Sequence, residues 1–390
     1  MPEIAEVARI VHFLRKTLVG KTLSVVKAQD DPIVFGKVGT SAAEFQKALT
    51  GKKVVDANQQ GKYFWLIMSS PPHPVFHFGM TGWFHIRGEK TVHYRQKEAD
   101  GEQEWPPKYW KFSMETAGDP KVEAAFTDSR RLGRVRLVDC PGKDIRKTTP
   151  LKENGPDPVI DKDIFTEEWL EKKLKSKRVP IKALLLDQAN ISGIGNWVGD
   201  EILYNAKIHP EQYSNTFSSA QIKQLHKSIR YVCQTSVDLL GDSEKFPDDW
   251  LFNHRWGKGK KNAVTTMPNG AKITHLTVGG RTSCVVPSVQ KKTGDVAGDL
   301  KNEDEEETGV KAGTKKGGKA KVAPSKKRKA DPEDDEDDVV FKDEDSAEEL
   351  QNGNKSGAKK AKSTPKSKTS QPKGDAAVPE GRRRSGRSAK

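Results

Sequence analysis

The chain has 390 residues, with 68 lysines and arginines against 54 aspartates and glutamates, and a formal net charge of +14. This length allows two or three domains, and the positive charge favours a nucleic acid or another anionic surface as partner. The sequence contains no apolar run of about 18 residues, so we expect no membrane span. The three widely separated cysteines offer no zinc-ligand spacing.

The chain opens with Met1-Pro2-Glu3-Ile4-Ala5-Glu6. Removal of Met1, which the small Pro2 permits, would leave a secondary amine at the terminus with a carboxylate beside it. An α-amino group titrates near pH ~8, so part of it is already nucleophilic toward carbonyl carbons at neutral pH. A neighbouring carboxyl group can act as a general acid or base. The alternative is a frayed terminus without chemistry.

Apolar residues at helical spacing follow and end before Gly20, which predicts a first helix with Glu3 and Glu6 near its start. Seven short β-type runs come next, with lengths and turns typical of an antiparallel sandwich or barrel. The polar residues 87–110 interrupt these runs as a long surface insertion. The predicted strands are Lys53–Asp56, Tyr63–Met68, Val75–Phe78, Trp83–Ile86, Lys111–Met114, Val122–Thr127 and Arg134–Asp139.

The turn sequence Asn154-Gly155-Pro156-Asp157-Pro158 marks a hinge, after which the pattern becomes helical. Two apolar runs, Ile273–Val278 and Thr282–Val286, flank Gly279-Gly280, which is a strong signal for a two-residue hairpin. From Lys291 onward the chain holds one aromatic residue and many charges, so we expect disorder there. The predicted helices are Thr166–Ser176, Pro180–Asp187, Trp197–Ala206 and Ser218–Leu240.

The sequence Ser192-Gly193-Ile194-Gly195-Asn196 lies between two of these helices. Two glycines before a helix allow backbone amides to approach an anion, and the helix dipole adds attraction for phosphate. In a basic chain this pattern favours phosphate binding over an ordinary helix–helix turn. We expect Asn196 either to cap the helix or to contact phosphate.

Four features occur in order along the chain: Pro2-Glu3, Gly61-Lys62-Tyr63, Asp128-Ser129-Arg130-Arg131-Leu132-Gly133, and Gly193-Ile194-Gly195-Asn196. In this combination the chain resembles the formamidopyrimidine-DNA glycosylase (Fpg/Nei) family from Pro2 to about Val289. The resemblance implies an α+β multidomain fold. Its parts would be an N-terminal catalytic β-sandwich at 1–140, a hinge at 141–160, a helix–two-turn–helix DNA-binding domain at 161–255, a lesion loop and finger hairpin at 256–290, and a disordered charged tail at 291–390.

The finger region departs from the common family pattern, which is a four-cysteine zinc finger. Only Cys284 lies in this region, so the hairpin resembles the zincless finger of plant and fungal members, and we expect neither a metal nor another cofactor. Arg281 would then reach a phosphate near the lesion. A surface hairpin with an incidental arginine is the alternative. We expect the lesion loop around Gly241–Gly270.

The resemblance also implies a mechanism and roles for particular residues. Pro2 would attack C1′ of a damaged nucleoside, expel the base and form an iminium, after which the 3′ and then the 5′ phosphate are eliminated. Glu3 would protonate the opening sugar, and Glu6 would support the reacting centre. Lys62 would bind a phosphate beside Pro2; the alternative is a solvated lysine at a strand edge.

Chemistry on a base in a duplex requires that the base be flipped out and the gap filled. By resemblance, Met80 is the inserted wedge and Arg130 pairs with the orphaned base. Leu132 stands where many members carry phenylalanine, which leaves the lesion and opposite-base preference open and is compatible with weak 8-oxoguanine activity. Further DNA contacts are implied for His77, which is alternatively a buried strand histidine, and for Lys182, Asn196 and Arg281.

Two basic clusters in the tail, Pro324-Ser325-Lys326-Lys327-Arg328-Lys329 and Arg382-Arg383-Arg384, indicate nuclear import. The alternatives are a solvated run of charges and a tail that binds DNA without sequence specificity. The acidic run Glu333–Asp338 could bind a basic partner or mask the lysines. We expect a nuclear monomer whose partners are damaged double-stranded DNA and import receptors, and no membrane.

The leading functional hypothesis is therefore a bifunctional DNA glycosylase and abasic-site lyase that acts on oxidised bases such as formamidopyrimidines. Its main rival is a non-catalytic damaged-DNA-binding protein with the same fold. A chromatin-associated scaffold driven by the tail is a third hypothesis.

Overall fold

The structure is a computed structural model that describes residues 2–91, 104–256 and 265–295. Parts of three predicted segments lie outside these ranges. They are residues 92–103 of the polar insertion, residues 257–264 of the suspected lesion loop, and residues 296–390 of the tail, with both basic clusters and the acidic run. Within the described ranges, no helix combines the length and the apolar character needed to cross a membrane.

The first helix, α1 (Ile4–Thr17), contributes to the two largest hydrophobic cores of the described residues. Ile4 and Ala5 pack into the core of the helical part, whereas Val7 and the apolar residues after it pack into the core of the sandwich. Helical spacing places those later side chains on one face, which explains why the predicted helix forms. The N-terminal end of α1 therefore lies where the two cores meet.

The described part of the sandwich has eight strands: β1 (Leu23–Ala28), β2 (Val54–Gln60), β3 (Tyr63–Met68), β4 (His73–His77), β5 (Trp83–Ile86), β6 (Trp110–Thr116), β7 (Glu123–Thr127) and β8 (Arg134–Val138). They form two antiparallel sheets, in the orders β1-β6-β7-β5 and β2-β3-β4-β8. The core is rich in phenylalanine, including Phe45, Phe64, Phe76, Phe84, Phe112 and Phe126. The predicted antiparallel sandwich is confirmed.

One strand and one α-helix between Gly20 and Lys53 were not predicted from the sequence. Strand β1 lies at a sheet edge, where it pairs only with β6 and is partly exposed, so its apolar pattern is weak. Helix α2 (Ala42–Leu49) has eight residues, too few for a clear periodicity. Its capping box was visible in the sequence, because Ser41 and Glu44 have the required spacing and bond each other's backbone amides.

Four further α-helices follow the hinge, and all four predicted helices are confirmed, with ends that differ from the prediction by at most two residues. Asp157 ties the hinge to the sandwich, because its carboxylate accepts the backbone N–H of Gly61 at 2.7 Å and that of Val159 at 2.9 Å. The helices are α3 (Glu167–Lys175), α4 (Ile181–Leu186), α5 (Asn196–Ala206) and α6 (Ser219–Asp238).

The predicted hairpin consists of β9 (Thr274–Val278) and β10 (Arg281–Val285). Both turn glycines have positive φ angles, 61° at Gly279 and 75° at Gly280, as this tight turn requires. Strand β10 begins one residue earlier than predicted, so Arg281 opens the strand. The hairpin packs over α5 through a small core of Leu251, Met267, Ile273, Cys284 and Val286.

Residues 291–295, which we assigned to the disordered tail, instead pack on the helical part. The backbone N–H of Tyr213 donates to the carbonyl of Asp295 at 3.0 Å, and the Gln221 amide donates to the Thr293 hydroxyl at 3.0 Å. Composition alone could not reveal this, because the contacts are hydrogen bonds made by a polar segment.

Candidate active site

A cleft of about 140 Å³ lies beside the N-terminal end of α1. Its lining comes from six separate segments of the chain, and five of the seven lining residues were predicted for the site. The other two are Leu186, at the end of α4, and Gly279, in the hairpin turn. The five predicted residues are Glu3, Lys62, Met80, Asn196 and Arg281.

The carboxylate of Glu3 is held by the start of α5. One oxygen accepts the backbone N–H of Gly195 at 2.8 Å and of Val198 at 3.1 Å, and the other accepts that of Trp197 at 2.9 Å. A Cβ on Gly195 would lie 2.2 Å from Cδ of Glu3, so only glycine permits this approach. The three donors and the helix dipole fix the carboxylate beside Pro2.

This arrangement corrects the expectation for the glycine turn. The backbone amides before α5 do bind an anion, but the anion is the side chain of Glu3. Gly195 occupies the N-cap position, so Asn196 does not cap the helix. The Asn196 amide instead donates to the carbonyl of Thr282 on β10 at 3.1 Å. The turn therefore positions an acidic group, and phosphate binding by these amides is excluded while Glu3 occupies them.

Glu6 lies behind Glu3 and is fully buried. Its carboxylate accepts the backbone N–H of Glu3 at 3.0 Å and the indole N–H of Trp197 at 3.1 Å. Burial and the nearby Glu3 carboxylate raise the pKa of Glu6 to about 7, although its hydrogen bonds favour the ionised form. Glu6 therefore changes charge near neutral pH.

Lys62 follows Gly61 in the tight turn between β2 and β3. Gly61 has a φ of 56°, and a Cβ there would lie 2.6 Å from the backbone nitrogen of Gly193, so this turn packs directly against the glycine turn. Lys62 is only 6% exposed, yet its ammonium makes no hydrogen bond or ion pair with the described residues. Burial lowers its pKa to about 8, which Glu3 opposes and Arg281 reinforces. Lys62 therefore lines the cleft as a cation that contacts no anionic group of the described residues.

Two turns beside the cleft carry the predicted wedge and orphan-base residues. A Cβ on Gly79, just before Met80, would lie 2.4 Å from the backbone of Leu132, so the turns touch. The buried Asp128 joins them, accepting the Thr81 hydroxyl at 2.6 Å and the backbone N–H of Arg130 at 3.2 Å. The side chain of Leu132 is 40% exposed and that of Arg130 is also exposed. Both can reach a ligand.

His77 ends β4 and is half-buried. Burial, together with the positive charges of Lys62 and Arg134, lowers its pKa to about 4, so the ring is neutral at pH 7. Its Nδ1 accepts the backbone N–H of Gly79 at 3.1 Å, which places the single ring proton on Nε2. His77 can therefore serve a phosphate as a neutral hydrogen-bond donor.

Lys182 does not face the cleft, contrary to its predicted role as a DNA contact. Its side chain is fully buried, and Nζ donates to the carbonyl of Asn196 and to the carboxylate of Asp200, both at 2.6 Å. Its charge is therefore used inside the protein. The sequence offered no sign of this partner, because Asp200 lies one helix away.

Asp200 also anchors the hairpin that carries Arg281. Its second oxygen accepts the Arg255 guanidinium at 2.8 Å and the backbone N–H of Cys284 at 3.0 Å. Gly279 lies against α4, where a Cβ would be 2.9 Å from that of Ala183. Among the described residues, no group of three or more histidines, cysteines, aspartates or glutamates could hold a metal ion. The contacts to α4 and α5 hold the finger in place.

Comparison with known proteins places this site in a family. The model of the formamidopyrimidine-DNA glycosylase N-terminal domain matches residues 1–135, and that of the H2TH domain of the same enzymes matches residues 154–248. A formamidopyrimidine-DNA glycosylase of Arabidopsis thaliana is 39% identical over 295 residues, which cover 75% of this chain and 72% of the relative. The chain belongs to the formamidopyrimidine-DNA glycosylase family. These enzymes are DNA glycosylases of base excision repair.

Bacterial formamidopyrimidine-DNA glycosylases are more distant. The enzyme of Desulforamulus reducens is 30% identical over 75% of this chain and 99% of its own length. Two solved structures of the Lactococcus lactis enzyme match with TM-scores of 0.59 and 0.60 and identities of 25% and 26%, each covering 74% of this chain and all of theirs. One is bound non-covalently to DNA with an abasic site, and the other is in complex with DNA containing FAPY-dG. The predicted fold class is confirmed.

Sequence reasoning about this formamidopyrimidine-DNA glycosylase chain missed the residues that position the others. Asp157 and Asp200 each accept a backbone N–H from another segment, and Asp128 accepts the hydroxyl of Thr81. Trp197 binds both acidic residues beside Pro2. No local signal marked Asp200, because its helix also carries Asn196, Glu201 and Asn205.

Proposed function

We propose that this protein is a bifunctional DNA glycosylase and abasic-site lyase that removes oxidised bases, including formamidopyrimidines, from duplex DNA. The observation that carries the proposal is the cleft itself. It gathers an amide-bound carboxylate and two cations, Lys62 and Arg281, and the carboxylate belongs to Glu3, the residue that follows Pro2. A nucleophilic amine needs such neighbours to act on a phosphate-flanked sugar.

The reaction begins when Pro2, freed of Met1, attacks C1′ with its nitrogen lone pair. The bond from C1′ to the base breaks, and the base leaves with the bonding electron pair and takes up a proton from water. The Glu3 carboxylate then takes the proton from the alkylated Pro2 nitrogen and passes it to the sugar ring oxygen, O4′. The bond from C1′ to O4′ breaks, the sugar ring opens, and the nitrogen lone pair forms the double bond to C1′. The product is an iminium between Pro2 and C1′. Loss of the C2′ proton then eliminates the 3′ phosphate, and a second elimination releases the 5′ phosphate. Glu6 supports Glu3 and Pro2 from behind.

The remaining residues handle the DNA. Lys62, His77, Asn196 and Arg281 bind phosphates around the lesion, with the two cationic groups supplying charge-assisted hydrogen bonds. Met80 fills the gap left by the flipped nucleotide, and Leu132 adds a second apolar contact. Arg130 pairs with the orphaned base. These roles need neither a metal nor another cofactor, so a metal chelator should leave activity unchanged.

A borohydride-trapping experiment tests the proposal. Protein carrying an N-terminal tag is compared with the same protein after removal of the tag and Met1, using duplex DNA with a preformed abasic site. We expect a covalent complex and strand cleavage only with the free Pro2 amine, and equal DNA affinity for both preparations. No trapped complex from the processed protein would overturn the proposal and favour a non-catalytic damaged-DNA-binding protein.

We further propose that the protein acts in the nucleus. The support is the basic clusters of the tail, which suit recognition by import receptors. Replacement of Lys326, Lys327, Arg328 and Lys329 by alanine in a fluorescent fusion should abolish nuclear accumulation. Unchanged nuclear signal would contradict the assignment.

A further inference from the structure

Trp197 makes two hydrogen bonds that together close a ring of three residues. Its backbone N–H donates to Glu3 at 2.9 Å, and its indole N–H donates to Glu6 at 3.1 Å. The ring closes because Glu6 accepts the backbone N–H of Glu3 at 3.0 Å. Trp197 is 4% exposed, so solvent does not compete for these bonds.

This ring acts directly on the peptide that follows Pro2. The N–H that Glu6 accepts belongs to the peptide bond between Pro2 and Glu3. Fixing that N–H fixes the peptide plane and therefore the direction from which the Pro2 ring approaches the cleft. Glu6 is itself fixed at both oxygens, one by Glu3 and the other by the indole.

Aromatic packing holds the indole in the orientation that this contact needs. The Trp197 ring lies 5.5 Å from that of Phe246 and 4.8 Å from that of Phe252, measured between ring centroids. The backbone N–H of Phe252 donates in turn to the buried Glu201 at 2.8 Å. The packing therefore rests on the segment after α6 as well as on α5.

We infer that Trp197 is a positioning residue for the Pro2 nucleophile, which it orients through Glu3 and Glu6. The inference rests on the proposed function and deepens it, because it assigns to α5 a role in setting the pH range of catalysis. An indole donor stabilises the ionised carboxylate, so its loss shifts Glu6 toward the neutral form. The charged groups that act on Glu6 are Glu3 on its own segment, the terminal amine and Lys62.

The variant Trp197→Phe removes the indole N–H and keeps an aromatic ring in the packing. Trp250→Phe is the matched control, since Trp250 is buried in the same core, 5.0 Å from Phe246, and makes no contact with either carboxylate. The readout is kcat/KM for cleavage of a preformed abasic site across pH. We expect the pH profile to have a limb near pH 7, where Glu6 loses its proton. This limb should move up by about one pH unit in Trp197→Phe, as for the loss of one hydrogen bond, and should not move in Trp250→Phe. Coincident profiles for Trp197→Phe and wild type would overturn the inference.

A second measurement needs no activity and separates this inference from the proposed function. The indole ¹⁵N–¹H signal of Trp197, assigned by its absence in Trp197→Phe or by a tryptophan-replacement set, should titrate near pH 7 in the wild-type protein. It should not titrate in that range in Glu6→Gln. A signal that does not change with pH in the wild-type protein would overturn the inference even if catalysis is normal. A signal that titrates in a protein that forms no trapped complex with DNA would support the hydrogen bond between Trp197 and Glu6 and would contradict only the proposed enzymatic activity.

Discussion

Lys62 and Lys182 are both buried lysines near the start of α5, but they use their charge in opposite ways. Lys182 is fully buried and satisfied by Asp200 and the Asn196 carbonyl. Lys62 is 6% exposed, lines the cleft and has no such partner among the described residues. The first lysine holds α4 to α5 and, through Asp200, the finger. The second leaves its charge available for a ligand.

The difference shows that burial alone does not identify a cation that binds a ligand. The groups in contact with the cation are the better guide. A buried charge without a counter-ion in direct contact is costly, so a fold that retains one gains something from it elsewhere. The low pKa of Lys62 reflects that cost. A DNA phosphate would supply the missing anion.

We expect the strongest contrast between the two lysines in the free energy of unfolding of their methionine variants. Lys182→Met leaves Asp200 with one cationic partner fewer, and we expect a loss of about 3–5 kcal/mol in the free energy of unfolding. Lys62→Met should change it by no more than about 1 kcal/mol, since no ion pair is broken. Chemical denaturation of both variants measures this, and equal losses would remove the distinction.

A second test compares two substrates in Lys62→Ala. If Lys62 binds a phosphate in the step that expels the base, excision of an intact damaged base should fall by about 10- to 100-fold, as for one hydrogen bond to a charged group. Cleavage of a preformed abasic site should fall less. Single-turnover assays on the two substrates provide the comparison. Equal losses on both would count against this role.

A third test uses the pKa of Lys62. The group is protonated below about pH 8 and loses its charge as the pH rises through that value, so kcat/KM for base excision should decline above about pH 8. Lys62→Arg keeps the charge at high pH and should move this limb upward. If the pH above which kcat/KM declines is the same in Lys62→Arg, a group other than Lys62 is responsible for the decline.

The smallest expected effect concerns Arg130, an exposed cation that differs from both lysines. Arg130→Ala should leave stability unchanged and flatten the preference among the four bases opposite the lesion, by about 1–3 kcal/mol for the best pair. Excision measured against each opposite base tests the assignment. An unchanged preference profile would contradict it.

The fold class and most of the elements could be predicted from the amino-acid sequence, because these follow from local patterns. Strands Tyr63–Met68 and Trp83–Ile86 were predicted with their observed ends, and Gly279-Gly280 located the hairpin. The family was also visible, since its motifs are short and occur in order along the chain. Weak local patterns explain the misses: β1 at a sheet edge and the short α2.

The pairing of the charged groups, in contrast, could not be predicted from the sequence and is seen in the folded protein. The amides before α5 bind Glu3, Lys182 turns inward to Asp200, and Trp197 reaches Glu6 from 191 positions away along the chain. No local pattern encodes such contacts. Which anion occupies a set of donors depends on the groups that folding brings nearest, and a side chain attached to the protein occupies the donors before any ligand arrives.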